Sequence, residues 1–354
     1  MFARLAAAVR RFDAKFGWSW IGACLSVAII TAAAFVLYRN LRGIDVGEVI
    51  DAIRETEPRD VAIAACFVAA AYFTLTFYDL FALRTIGRRN VRYRIAALAG
   101  FTSYAIGHNV GASVFTGGAV RYRIYSAQGL SAIEVAKVCF IAGLTFWLGN
   151  AAVLGLGIAY APAAASAIDH LPPWLNRTLA LGTLAALAIY VAWVWHTPRI
   201  IGRQNWEVAL PNGPLTVVQI AIGIVDLACC AAAMYMLVPD EPYIGFVVLA
   251  VIFVAATLLG FASHSPGGLG VFDAAMLVGL WQYDKADLLA GLLLFRLLYY
   301  ITPFALALAI LGGRELWLSL RLRRAAPTAV AAGDEIDRGS QRERADAARP
   351  IESK

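Results

Sequence analysis

Phe101 to Leu130 reads FTSYAIGHNVGASVFTGGAVRYRIYSAQGL. The stretch is apolar enough to enter a bilayer, yet it carries Gly107, Gly111, Gly117 and Gly118, with Ser103, His108, Asn109, Ser113 and Thr116 between them. It closes on a basic pair, Arg121 and Arg123. Glycine lets backbones approach and breaks helices, and broken backbone at membrane depth survives only where protein or a wet cavity satisfies it. The stretch therefore reads as the wall of a polar cavity inside a membrane protein. The competing reading is a helix that packs tightly through its small residues.

The rest of the chain fits a membrane setting. Of 354 residues, 60% are hydrophobic and 15% charged, with mean hydropathy +0.68. Soluble domains carry about 25% charged residues. The composition leaves no long polar stretch for a separate soluble enzyme. The net charge of +6 sits mostly in loops and ends, where it reports topology rather than nucleic-acid binding. The cysteines, Cys24, Cys66, Cys139, Cys229 and Cys230, lie in apolar segments without CxxC spacing, so they read as packing residues. His108, His170, His196 and His264 form no HExxH-like ligand pair. There is no GxxxxGKS/T phosphate loop and no GxSxG elbow. No catalytic residue, cofactor or metal is expected.

Residues 1–17 form a basic segment, expected to be cytoplasmic. An uncharged run from Trp18 to Tyr38 follows and is expected to be an uncleaved first span, since no convincing cleavage site precedes it. Val61–Leu83 reads as a returning span with Asp79 near its end. Arg84, Arg88, Arg89, Arg92 and Arg94 then give the strongest positive-inside signal. A single crossing over Ile95–Val120 would put Arg121 and Arg123 on the wrong side, so a re-entrant hairpin broken between Gly107 and Gly118 is preferred. Ser131 and Glu134 have capping-box spacing and open a helix to about Tyr160. Further spans are expected at Trp174–Trp195, Leu215–Val238, Tyr243–Ala262, Ser263–Tyr283 (short and broken) and Leu288–Leu311. The expected fold is an all-α polytopic membrane protein of about eight transmembrane helices plus the re-entrant element, each span meeting the ~20 apolar residues a bilayer needs. Both termini are expected to be cytoplasmic. The membrane domain would span residues 18–314, and the polar tail 315–354 would be disordered.

An inverted repeat is a further expectation. Gly100-Phe-Thr-Ser103 and Gly111–Phe115 resemble Gly260-Phe-Ala-Ser263 and Gly268–Phe272, each block with a histidine between its parts, His108 or His264. Paired broken helices in two halves point to a transport-type site at the repeat interface, although Gly- and Ala-rich segments also match by chance.

Ionisable residues at membrane depth cost about 2.5–3.5 kcal/mol on insertion scales and are functional candidates by default. Arg296 is the deepest in sequence, between LLLF and LLYY. It needs a carboxylate (Asp226, Asp79 or Asp273), a carbonyl cluster or an anionic ligand. It reads either as a structural ion pair or as a fork for a lipid phosphate. Arg121 and Arg123, with Tyr122 and Tyr125, read either as a topological anchor or as a headgroup-capturing mouth. His108 and Asn109, and His264 beside the second glycine-rich element, complete the candidate cavity with Asp79, Asp226 and Asp273.

The segments SYAIGHNVGASVFTGGAVRYRIYS at Ser103–Ser126, TFWLG at Thr145–Gly149 and PGGLGVFDA at Pro266–Ala274 resemble the membrane region of lysylphosphatidylglycerol synthases, the multiple peptide resistance factor family, and its stand-alone relatives. Asp273 stands where that motif more often has Glu. The resemblance implies a flippase-like module that translocates or binds an anionic or aminoacylated phospholipid in a bacterial inner membrane, with a tie to antimicrobial peptide resistance. The chain ends near its last span, so the module is expected without the aminoacyl-transferase domain. Implied partners are membrane phospholipid, a separate aminoacyl-lipid synthase and a second copy as a homodimer. The rival readings are a membrane-embedded lipid-modifying transferase and a non-transporting scaffold for a separate synthase.

Overall fold

The structure is a computed structural model that describes residues 54–316, apart from residues 55, 112, 196, 198, 204, 205 and 263–265. The basic segment 1–17, the predicted span at 18–38, His264 and all but the first two residues of the tail 315–354 lie outside the described residues. By compactness the chain divides into residues 1–307 and 308–354. Of the second unit, residues 308–316 are described, and they are helical.

Helix α1, Pro58–Thr85, starts with proline in its first turn beside Asp60 and ends on Arg84, each charge opposing the helix dipole. Two helices follow, α2 (Tyr93–Val110) and α3 (Ser113–Tyr125). Gly111 ends α2 at φ 78° and ψ 177°, a conformation that a side chain rarely tolerates. Gly107 lies within α2, and Gly117 and Gly118 lie within α3, so the helix breaks at Gly111 rather than from Gly107 to Gly118. The chain then doubles back. A Cβ on Gly117 would lie 3.2 Å from the carbonyl oxygen of Ser103, so α3 runs back along α2 at close range. Its end returns to α1, where Arg121 meets Asp79.

Helix α4, Ala132–Tyr160, opens with the expected capping box. The Ser131 hydroxyl accepts from the Glu134 backbone N–H at 3.3 Å, and the Glu134 carboxylate accepts from the Ser131 N–H at 2.8 Å. Arg88 in the α1–α2 loop donates to Glu134 at 2.6 Å. The arginine-rich loop and the start of α4 therefore share one end of the helix bundle, called here the basic end.

After a short helix α5, Pro162–Asp169, helix α6, Pro173–Trp195, runs back against α4, with Arg177 donating to the Ala159 carbonyl. Between α6 and the next helix the chain folds as an antiparallel hairpin, β1 Ile200–Arg203 with β2 Trp206–Ala209. Helix α7, Gly213–Tyr235, starts on an Asn212 cap. It lies parallel to α4: Gln219 donates to Thr145 at 2.8 Å, and one turn on a Cβ at Gly149 would lie 2.7 Å from the Cα of Gly223.

Helix α7 thus delivers the chain to the end opposite the basic one. Helix α8, Phe246–Ala262, leaves from there, with Phe246 stacked edge-on against Tyr235. The chain breaks again after Ala262, and Gly267, Gly268 and Gly270 all take left-handed φ. Helix α9, Val271–Gly279, then returns along α8, with Gly268 against Gly260, Phe272 against Phe253 and Gly279 against Ile252. Helix α10, Lys285–Phe295, passes into a π-helical turn at Arg296–Ile301 and continues as helix to residue 316.

Five described helices are long and apolar enough to cross a membrane: Pro58–Thr85, Ala132–Tyr160, Pro173–Trp195, Gly213–Tyr235 and Asp287–Leu316. The expectation for this region was seven. The two remaining predicted spans, Tyr243–Ala262 and Ser263–Tyr283, are the arms of the α8–α9 hairpin, whose tip stops at Arg296, only nine residues into the last long helix. The α2–α3 tip stops at the same level, where Asn109 donates to the Tyr300 carbonyl at 3.0 Å. Arms of 17 and 9 residues joined at such a tip fall short of the ~30 Å hydrocarbon core. A count of eight is therefore not reached among the described residues, and the all-α class holds.

Candidate functional site

The two hairpins enter from opposite ends and their tips face one cavity of about 180 Å³. Gly111 lines it from the first tip, and Gly267 and Gly268 from the second. Its polar side chains are Tyr104 and His108 on α2, Asp226 and Cys230 on α7, Thr257 on α8, and Tyr299 and Tyr300 on the π turn. Two polar atoms of this lining are buried with no hydrogen-bond partner among the described residues: Nδ1 of His108 and Oδ1 of Asp226. Such orphans are rare in native interiors, and ligands or water commonly answer them.

The π turn shapes the floor. A π turn shifts the backbone ladder by one residue and frees carbonyls. Here two carbonyls accept from side chains, Tyr299 O from the Tyr72 hydroxyl at 3.0 Å, where Pro303 four residues on has no N–H to offer, and Tyr300 O from Asn109. The Tyr299 ring lies nearly parallel to both Phe295 and His108. This holds the imidazole against the cavity wall.

The aromatic rim is equally specific. Phe115, Phe146 and Phe261 line the cavity, and Trp147 packs edge-on against Phe261. Phe115 is 81% exposed and Trp147 is 52% exposed. Both Phe146 and Trp147 fall at the midpoint of α4. Phe115 and Phe261 line the cavity and are themselves exposed, so the rim reaches the outer surface of the bundle.

Of the candidate site residues that are described, the cavity lining brings together His108 and Asp226. Asn109 is buried behind it, tied to Ala105 O and Tyr300 O. Asp79 and Arg121 form a closed pair deeper toward the basic end: the guanidinium reaches both carboxylate oxygens at 2.7–3.0 Å, Tyr125 donates to Asp79 at 2.7 Å, and Arg121 lies 4.8 Å over the Tyr104 ring. Arg296 takes Asp273, not Asp79 or Asp226. It donates to both Asp273 oxygens at 3.1 and 2.6 Å and to the Gly267 carbonyl at 3.2 Å. Asp273 also accepts from the Gly270 N–H, so it caps α9. The N-terminus of α9 is thereby satisfied from within. Arg123 is half-buried beyond Arg121 and outside the lining.

Sequence reasoning missed Tyr104, Tyr299, Tyr300 and Thr257, whose types are ordinary in apolar helices. The signal available for the rim was the Trp of TFWLG at mid-span.

These features define a class: a multi-pass, all-α membrane protein with two opposed broken hairpins around a buried polar cavity. Over residues 21–307 the chain matches the family described as Lysylphosphatidylglycerol synthase TM region, and it belongs to that family. It is 29% identical over 305 residues to the uncharacterized protein slr0712 of Synechocystis, covering 86% of this chain and 93% of that one. It is 28% identical over 300 residues to the inner membrane protein YbhN of Escherichia coli, covering 82% of this chain and 91% of that protein. It is 23% identical over 290 residues to a phosphatidylglycerol lysyltransferase of Staphylococcus aureus, covering 80% of this chain and 33% of that protein.

Proposed function

We propose that this protein carries a phospholipid headgroup across a bacterial inner membrane, through the cavity between the hairpin tips, while the acyl chains stay in the bilayer. One observation carries the reading: a polar cavity with two unanswered buried polar atoms sits at mid-height of the bundle and opens at an exposed aromatic rim. Its ~180 Å³ is below the ~300–1,000 Å³ of ordinary small-molecule pockets, so it suits part of a headgroup rather than a whole lipid. The opposed hairpins support an inverted-repeat architecture in which each tip gates the cavity from one side. The relatives add a lipid setting, since one is named a phosphatidylglycerol lysyltransferase and another an inner membrane protein.

In this reading the basic end, with Arg84–Arg94, Arg121 and Arg123, is cytoplasmic. The exposed arginines of that loop gather anionic headgroups. Arg296 and Arg121 hold the hairpins in place, and His108 and the tyrosines contact the headgroup. The lipid is an anionic or aminoacylated phosphatidylglycerol, and a separate synthase that makes it is the natural partner.

The test is headgroup accessibility of fluorescent phosphatidylglycerol, plain and aminoacylated, in proteoliposomes, with empty liposomes as control. The expected result is faster exposure to an external quencher with the protein, slowed about tenfold, or ~1.4 kcal/mol of barrier, by Thr257→Phe, which fills the cavity. Equal rates with and without protein for both lipids would overturn the reading.

A further inference from the structure

Among the described residues three carboxylates lie at depth in this bundle, and two are neutralised. Asp79 is gripped by Arg121 and Tyr125, and Asp273 by Arg296 and the Gly270 N–H. Asp226 is the exception. It is 4% exposed and lines the cavity, its Oδ2 accepts from the Tyr78 hydroxyl at 3.0 Å, and its buried Oδ1 has no hydrogen-bond partner among the described residues.

The groups that face Asp226 are uncharged: the Thr74 hydroxyl on α1, the phenols of Tyr72 and Tyr78 on α1, Tyr104 on α2 and Tyr299 on the π turn, and the thiols of Cys229 and Cys230 on its own helix. His108 shares the cavity wall. Helix α8 has no charged residue, and those of α4, Glu134 and Lys137, lie in its first two turns. An ionisable side chain at membrane depth with no counter-charge marks a proton or ion pathway. The only charge partner that needs no further room here is a proton.

We propose that Asp226 exchanges a proton with the cavity during each headgroup passage, so that lipid movement is coupled to proton movement. This rests on the cavity's being the headgroup path. The step balances: the carboxylic acid gives up one proton to cavity water and becomes a carboxylate, and it takes one back when the cavity faces the other side. The Tyr78 hydroxyl holds Oδ2 throughout, leaving Oδ1 as the exchanging oxygen.

Two measurements test it. In proteoliposomes with an imposed pH gradient, wild-type headgroup movement should change several-fold when the gradient is reversed. Asp226→Asn should move lipid at one rate under either gradient. A wild type indifferent to the gradient, or an Asn variant that responds like wild type, overturns the coupling. Movement without any gradient reports the path separately, and its absence overturns both path and coupling. On purified protein, a pH step followed by infrared difference spectroscopy should show a protonated-carboxyl C=O band that Asp226→Asn removes. A band unchanged in that variant overturns the exchange itself, whatever the lipid data show.

Discussion

Arg121 closes on Asp79 with its Nε 3.0 Å from both carboxylate oxygens and a terminal nitrogen 2.7 Å from one of them, inside a site where Asp79 is fully buried. The pair fastens the return arm of the first hairpin to the long helix before it. Arg296 and Asp273 do the same for the second hairpin with the charges exchanged, the carboxylate now on the return arm and the guanidinium on the long helix after it. Removing one partner of a buried pair strands the other charge at a cost of about 3–5 kcal/mol. Asp79→Asn should therefore lower the thermal unfolding temperature in detergent sharply. Asp226→Asn should cost less than about 1 kcal/mol, because the amide oxygen still accepts from Tyr78 and no cation is stranded. Similar losses for the two variants would contradict the assignment.

The second pair makes its own prediction. Arg296→Met leaves Asp273 without its cation and should destabilise by roughly 3 kcal/mol, near the lower bound for a buried pair because the carboxylate is about a fifth exposed. Adding Asp273→Asn removes the stranded charge and keeps an acceptor for the Gly270 N–H. The double variant should recover most of the loss in the same unfolding assay. A double variant worse than the single one would show that the ion pair is not what holds the tip.

Helices α4 and α7 touch backbone to backbone at Gly149 and Gly223, where a Cβ on either would lie 2.7 Å from the other's Cα. Gly149→Val must push these helices apart, and overpacking of this kind costs about 1–3 kcal/mol or more. Gly143, six residues nearer the basic end on the same helix α4, has nothing within 4 Å of its Cβ position. Gly143→Ala should instead be neutral or stabilising by up to ~1 kcal/mol through helix propensity. Size-exclusion profiles and unfolding temperatures of the two variants separate the cases.

The hairpins fix which loops share a side. Single cysteines at Arg89 and Gln128, in a background lacking the native thiols, should react with an impermeant maleimide from the same side of the membrane. Cysteines at Tyr160 and Asp240 should react from the other. A cysteine at Leu269, in the second tip, should react from neither, because that tip ends inside the bundle. Labelling of Leu269→Cys from the Arg89 side would mean that the second hairpin crosses fully.

Much of the architecture was legible in the chain. Apolar runs of about twenty residues can hide their backbone only as helices in a bilayer, so Val61–Leu83, Trp174–Trp195 and Leu215–Val238 all fall on long helices. Ser131 and Glu134 marked a helix start correctly, because a capping box is a local device that needs only three residues of spacing. The arginines on both sides of the first glycine-rich stretch implied that the chain turns back, and it does so at Gly111.

The chain alone did not decide how deep the second hairpin reaches or which charges pair. Tyr243–Ala262 is apolar enough to look like a crossing, and only its packing against α9 and the stop at Arg296 make it an arm. The pairing of Arg296 with Asp273 rather than Asp226 depends on side-chain reach across 23 residues and on the π turn that aims the guanidinium. No local signal carries that information. The same holds for Asp226. Composition presents three equivalent buried acids, and it took the tertiary placement of two arginines to leave one of them facing the cavity without a cation.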